Sequence, residues 1–404
     1  MNKKQNYIYV GIDLHKETHT AVIINCWNEK LGEITIDNRP SQFKKLMEAV
    51  RKYSKNTTPI YGLENAYGYG RNLAIFLVEN KQIVKDVNPS MSYAQRISAP
   101  TTKKDDSYDA LCVANVLLNK LDELPDACPH DSFWTIALLV NRRAAIVESL
   151  VTLKNQSHEQ LKNAYASYNK YFTVIDTKTA LNFWELYPSP RHLKSVKVED
   201  LAETLRSTSH NNCSTNRAQK ILDLVSSDGS MALDYQDTRD FIVKSIVRDI
   251  RHKRQELEIV EEEIVKMMKT FDYKLETMPG INTVTAASLL AEIGDINRFS
   301  NMDKFARFTG VAPVKFSSAG KGKEQKSKQG NRRLHGIFYF LAVQMIQTAW
   351  KSGKPRNAVF QAYFQQKISE GKTKPQALVC VMRRLVNIIY GMLKNKTEYR
   401  ASEL

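Results

Sequence analysis

Near the start of the chain, "YIYVGIDL", "THTAVIIN" and "GEITIDN" are apolar, β-rich runs. Short polar turns separate them, and the pattern predicts three consecutive antiparallel strands. A helical period follows. In "SQFKKLMEAVRKY", Phe43, Leu46, Met47 and Val50 fall at helical spacing behind a Pro-Ser start, which predicts an amphipathic helix. A strand at "PIYGLEN", a helix from about Gly70 to Asn80, a strand at "QIVKDVN" and a helix after Asp106 follow.

The resulting order, β-β-β-α-β-α-β-α, describes a mixed sheet with helices and fits an α/β RNase H-like (RuvC-like) domain over residues 1–125. From about Asp131 the strand signal disappears. "FWTIALLVNRRAAIVESLVTLKNQSHEQLKNAYASY" predicts one long helix, with Val140, Val147 and Leu161 on a heptad line that Lys154 interrupts. In a second long helix, Ile246, Ile250, Lys253, Leu257, Val260, Ile264 and Met267 recur in steps of four and three. That seam predicts a two-helix coiled coil, within or between subunits, although an amphipathic helix packed inside one subunit has the same pattern. Residues 126–270 are therefore expected to be a helical coiled-coil region. Its polar stretch at 165–240 forms an insertion of short helices and loops.

The block 271–404 is expected to be mostly α. Within it, "MPGINTVTAASLLAEIG" places Gly280 before a small-residue helix, a helix-hairpin-helix-like pattern that can aim backbone N–H groups at a phosphate. Lys321, Lys323, Lys326, Lys328, Arg332 and Arg333 then crowd a Gly/Ser-rich stretch with one acid. Such a loop can follow a nucleic-acid backbone, or it can be a solvated charge run.

The overall charge bears on partners. Among 404 residues, Lys plus Arg outnumber Asp plus Glu by 59 to 43, giving a net charge of +16 and a pI near 9.4. A polyanionic partner is expected, nucleic acid before a membrane surface. Five scattered cysteines without C-x-x-C imply reduced thiols and no zinc site. The opening apolar run is interrupted by Asp13, and "GIFYFLAVQMI" is far short of the roughly 20 residues of a membrane helix. A cytoplasmic, nucleoid-associated protein with no membrane partner is expected.

The chemistry lies in the acids. Asp13 and Glu64 end apolar strands, where a lone acid is usually a turn or cap residue. In an RNase H-like sheet, however, the first and fourth strands are parallel neighbours, so the two acids emerge side by side. Asp106 and Asp109, at i and i+3, share one face of the helix that crosses that edge, whereas Asp105 points elsewhere and reads as a capping acid. Four converging carboxylates require a cation. Oxygen ligands favour Mg²⁺ or Mn²⁺, and a pair of such ions about 3.5–4 Å apart can activate an attacking oxygen and stabilise a leaving one at a phosphodiester.

Several motifs, in order, resemble the insertion-sequence-110 transposases, a family that includes the Piv-type DNA invertases. They are "YVGIDLHKETHTAVII", "YGLENAYGYGRNLAIFL", "VNPSMSYAQR" with "KKDDSYDA", and "MPGINTVTAASLLAEIGDINRFSNMDKFARFTGVAP". The similarity spans roughly residues 7–160 and 265–345. It implies an Asp-Glu-Asp-Asp metal set in a RuvC-like domain, here Asp13, Glu64, Asp106 and Asp109, with Asp105 where the family carries Thr. It also implies a coiled-coil connection and a C-terminal transposase domain carrying a serine nucleophile. In "GVAPVKFSSAG" that serine falls on Ser318, with Ser317 in reserve and Ala319 where Gly is usual. A phosphoserine–DNA link would conserve the energy of the cleaved bond.

The implied activity is that of a transposase and site-specific recombinase. It would act as a homo-oligomer, dimer or tetramer, on double-stranded donor and target DNA, guided by an element-encoded bridge RNA. The rivals are a RuvC-like metal-dependent nuclease in which water attacks, and a non-catalytic nucleic-acid-binding protein.

Overall fold

The computed structural model describes residues 3–64, 68–98, 105–127, 129, 131–209, 215–231, 233–318, 321–325, 329–349 and 353–400, with backbone only at 131, 314–318 and 321–325. They pack as two units, Met1–Ala137 with Phe271–Leu404, and Leu138–Thr270.

The predicted element order is present in the N-terminal region. Strands β1 (Tyr7–Leu14), β2 (Thr18–Ile24) and β3 (Lys30–Asp37) precede α1 (Pro40–Arg51), β4 (Thr58–Glu64), α2 (Arg71–Glu79), β5 (Ile83–Val87), α3 (Pro89–Ile97) and α4 (Asp106–Lys120). The strands form one sheet in the order β3-β2-β1-β4-β5. β1 to β3 pair antiparallel, while β1–β4 and β4–β5 pair parallel. Only α3 was absent from the sequence-based expectation. Its nine residues have no apolar face, and Ser92 is its one buried side chain.

Period-two alternation assigns the two faces of the sheet. Ile8, Val10, Ile12, Tyr61 and Leu63 pack with Phe43, Leu46 and Val50 of α1 and with Leu73 and Leu77 of α2. Tyr9, Val22, Ile24 and Ile60 pack with Ala110, Val113, Ala114 and Leu117 of α4. On this second face β1 and β4 present glycines, and Gly11 is paired with Gly62 in register. A methyl group at Gly11 would stand 2.2 Å from both Ala110 O and Ala114 N, and one at Gly62 would stand 2.6 Å from Leu117 Cδ1. The two glycines therefore set how closely α4 lies on the sheet.

In the unit Leu138–Thr270, two long helices, α5 (Asp131–Ala164) and, after α6 (Lys178–Leu186), α7 (Val198–Ser209) and α8 (Thr215–Asp228), α9 (Gln236–Met268), run antiparallel. Arg143 meets Glu261, Lys154 and Arg254 both pair with Asp176, and Ser157 and Leu161 lie beside Val243 and Val247. Within the predicted seam Ile250 and Ile264 are buried, whereas Ile246, Lys253, Leu257, Val260 and Met267 are half-buried. Val243 and Val247, outside that seam, are buried instead, because the connecting segment folds over this end. There Tyr165, Tyr171, Phe172, Phe183 and Trp184 form an aromatic core with Leu201, Leu205 and Ile221.

The C-terminal segment contains α10 (Thr283–Ile293), α11 (Met302–Phe308), a hairpin of β6 (Val314–Ser318) and β7 (Lys321–Gln325), α12 (Arg332–Ile346), α13 (Ala358–Ser369) and α14 (Lys374–Asn395). The expected loop at 321–325 is thus a strand. Gly280 sits at φ +90° just ahead of α10, as a turn glycine, and the element before it is a 3-10 turn at Leu275–Thr277 rather than an α-helix. By length and composition α14 could cross a membrane. Its apolar content has a different use here: Leu378, Val381, Leu385, Val386 and Ile389 are buried, while Arg383 pairs with Asp303 of α11.

The contact between α4 and β1 yields a stability prediction. Gly11→Ala should lower unfolding stability by about 3 kcal/mol or more, because backbone rather than a movable side chain occupies the space. A urea midpoint unchanged from the parent would contradict this packing.

Candidate active site

The alternation that aims Tyr9 and Gly11 at α4 also aims Asp13 there, and the set Ile60, Gly62, Glu64 on β4 is in step with it. The acids thus stand side by side at the C-terminal ends of neighbouring parallel strands. Opposite them, α4 begins. Asp105 is its N-cap, with a carboxylate that accepts a 2.7 Å hydrogen bond from the Tyr108 N–H, so it is the capping acid expected from its position. Asp106 and Asp109 lie in the first turn.

Asp13, Glu64 and Asp109 line one cleft of about 310 Å³ together with Pro89, Ser92, Tyr93, Arg96 and Cys112. Asp106 is more exposed and approaches Asp13 from another side, through His15. Nε2 of His15 lies 3.0 Å from Asp13 Oδ2 and 3.4 Å from Asp106 Oδ1. The other three predicted acids therefore gather around Asp13.

Three side chains that sequence reasoning did not assign hold this arrangement. The buried Ser92 hydroxyl donates to Glu64 Oε2 at 2.9 Å, and Arg96 Nη1 donates to Asp109 Oδ1 at 3.3 Å. Arg96 also lies over the Tyr93 ring, 5.1 Å from its centroid. Both Ser92 and Arg96 come from α3, one helical turn apart. The signal was in "VNPSMSYAQR": Asn88 caps the helix and Pro89 opens it, a start pattern that needs no apolar period. His15, two residues beyond Asp13, is the third.

Burial dominates the electrostatics. It lifts the Asp13 carboxyl above the usual carboxylate range, opposed by His15 and reinforced by Asp109 and Asp106. Glu64 is lifted for the same reason, against the Ser92 hydrogen bond. Asp13 Oδ2 is buried, with His15 Nε2 3.0 Å away and no geometrically complete hydrogen bond to it among the described residues. A buried carboxylate oxygen without a complete hydrogen bond, among further acids, fits a bound divalent cation. One oxygen or nitrogen from each of Asp13, His15 and Asp106 lies within 4.8 Å of the others.

The other predicted residues lie on the C-terminal segment. Ser317 and Ser318 stand on β6, with backbones in register with Gly322 and Lys321. The hairpin leaves the helical body at Gly310 and returns at Gly330, where the two backbones touch: a methyl group on Gly330 would stand 2.6 Å from Gly310 N. Lys321 and Lys323 lie on β7; Lys326 and Lys328 lie outside the described residues. Arg332 and Arg333 open α12, and Arg333 is 3.6 Å from Glu292.

Two stability predictions follow from these local contacts. Asp105→Ala should cost about 1 kcal/mol and Asp105→Asn much less, because Asn also caps; equal losses on thermal unfolding would argue against the cap. Raised carboxyl values mean that, with divalent ions chelated, the folded chain keeps protons the unfolded chain has released. Stability should therefore fall as pH rises from about 4 through the raised folded-state values. Asp13→Asn should remove part of that loss and melt higher than the parent in chelator at pH 7, with the gap closing in acid. A lower melting temperature for the variant at pH 7 would refute it.

Similarity to known proteins covers both ends of the chain. The Transposase IS116/IS110/IS902 family matches residues 272–364, and a transposase family of the IS110 DEDD type matches residues 10–166. The 44.8 kDa protein of insertion element IS116 from Streptomyces clavuligerus is 25% identical over 98% of this chain and 97% of its own length. The pilin gene-inverting protein of Moraxella lacunata is 27% identical, covering 97% of each chain. The 42 kDa protein of insertion element IS900 from Mycobacterium paratuberculosis is 22% identical, again over 97% of each.

Proposed function

Because the chain belongs to the IS116/IS110/IS902 family of transposases, we propose that it cuts and rejoins the DNA of its insertion sequence through a metal-binding acidic centre and a serine nucleophile. The observation that carries this reading is the convergence of Asp13, Glu64, Asp106 and Asp109 at one end of the sheet. The strand order, with three antiparallel strands followed by parallel β4 and β5, supports an RNase H-like, RuvC-like assignment. Domains of 1–125, 126–270 and 271–404 go with it.

In the proposed reaction Ser318 Oγ attacks a phosphodiester. An Oγ–P bond forms as the P–O bond to one sugar breaks, the serine proton passes to solvent or a site base, and the released sugar oxygen takes up a proton. Attack by a hydroxyl of another strand reverses the exchange and regenerates the serine. Asp13, Glu64, Asp106 and Asp109 would hold Mg²⁺ or Mn²⁺, which lowers the pKa of a bound oxygen and offsets charge on the phosphate. Ser92 and Arg96 keep Glu64 and Asp109 in place for that task. The basic residues of 321–333 contact the DNA backbone. Serine and acids lie some two hundred residues apart, so an oligomer with sites shared between subunits is part of the reading. So is an element-encoded guide RNA, which would supply the base-pairing that selects donor and target. The pilin gene-inverting relative, by its name, inverts a DNA segment, and a rearranging activity of that kind suits this reading.

Incubating the chain with DNA that carries its element's ends, then denaturing, should trap a covalent protein–DNA adduct. Ser318→Ala should abolish it and recombination while DNA binding persists; Ser317→Ala serves as the neighbouring control. Cleavage without any adduct would replace the serine by water and leave a nuclease. Failure of the purified protein to retain a discrete small RNA would remove the guide from the scheme.

A further inference from the structure

We propose that His15 is a further ligand of the acidic centre. With Asp13 and Asp106 it forms a mixed nitrogen–oxygen subsite that favours Mn²⁺ and other transition ions over Mg²⁺. The inference rests on the reading of the acids as a divalent-cation site and adds a ligand and an ion preference to it.

Geometry is the first support. Donors about 2.1 Å from a common ion stand about 3 Å apart at right angles and about 4.2 Å apart across it. The three donor atoms here match that scale, with His15 Nε2 3.0 Å from Asp13 Oδ2 and 3.4 Å from Asp106 Oδ1, and all three within 4.8 Å of one another. Burial is the second. The Asp13 oxygen that His15 Nε2 faces is closed off from solvent, so the pair stands at the edge of a space that an ion, rather than water, would fill.

Chain geometry explains why the imidazole is there. Residues 13 and 15 point to the same side at the end of β1. The His15 N–H then donates to the Thr18 carbonyl at 3.0 Å, which closes the turn into β2 and holds the ring over the site. Asp106 is fixed by the start of α4, itself capped by Asp105.

The donor set gives the preference. Mg²⁺ is a hard ion that takes oxygen and keeps its waters, whereas imidazole nitrogen suits first-row transition ions. The subsite has Asp13 in common with the cleft of Glu64 and Asp109, so one centre offers two different donor sets. His15 is more than half exposed, and its replacement leaves the core intact.

Direct ion binding by the full chain tests this, with Mn²⁺ followed by electron paramagnetic resonance and Mg²⁺ by its competition. His15→Ala should weaken Mn²⁺ by about tenfold or more and Mg²⁺ by less than about threefold, and should change the visible spectrum of the Co²⁺ form. An unchanged Mn²⁺ affinity, an equal loss for both ions, or tighter binding would make His15 a mere counter-charge and overturn the proposal. Asp13→Asn, measured alongside, separates the two levels. If it leaves binding of both ions intact, the acidic-centre reading fails; if it abolishes binding while His15→Ala is silent, only the histidine ligand fails.

Discussion

The close approach of α4 to the sheet is the constraint on which the rest of the N-terminal region depends. Gly11 and Gly62 are paired in register, and their missing side chains let the Ala110–Ala114 turn of the helix rest on strand backbone. The acids come two residues after the glycines on each strand. The same alternation that points Gly11 and Gly62 at α4 therefore points Asp13 and Glu64 at the start of that helix, where Asp106 and Asp109 lie. Fold stability and site geometry are thereby set by one contact, and a strand slip of one residue would turn both acids to the opposite face.

Gathering these carboxylates works against the stability of the ion-free chain. Burial and mutual repulsion lift Asp13 and Glu64, and the compensation comes from neighbours specific to each acid. Ser92 donates to Glu64, Arg96 to Asp109, and His15 stands between Asp13 and Asp106. Each compensation is partial, since Asp13 Oδ2 has no geometrically complete hydrogen bond among the described residues. A cluster of acids incompletely satisfied by its own residues fits a divalent cation, and that fit is the basis on which the proposed chemistry is assigned to it.

The remaining elements serve other ends. The unit Leu138–Thr270 is held by its own aromatic core and by ion pairs such as Arg143–Glu261. In the C-terminal segment, the contact of Gly310 with Gly330 closes the base of the β6–β7 hairpin that bears Ser317 and Ser318. The serines are thus on a two-stranded hairpin whose root is fixed by this glycine contact.

Much of the N-terminal fold was legible because its strands are short β-rich runs bounded by polar turns. β1 is such a run, buried on both faces, and α1 buries the four residues its period named. Asp105 could be told from Asp106 and Asp109 because helical spacing separates a cap from a face. The hairpin at 314–325 and α3 escaped, since neither has an apolar period; a cap and a proline start α3, and cross-strand pairing makes the hairpin. Of the seven residues in the predicted seam, Ile250 and Ile264 are buried and the other five are half-buried, whereas Val243 and Val247, outside it, are covered by a segment that is distant in sequence. By itself, then, the sequence determined the order of the strands and helices of the N-terminal region other than α3, and the placing of Asp13 and Glu64 at strand ends and of Asp106 and Asp109 on one helical turn, because these follow from local periods and spacings. The tertiary structure alone decided that Ser92, Arg96 and His15 stand against those acids, because that depends on the register of β1 against β4 and on how closely two glycines let α4 approach.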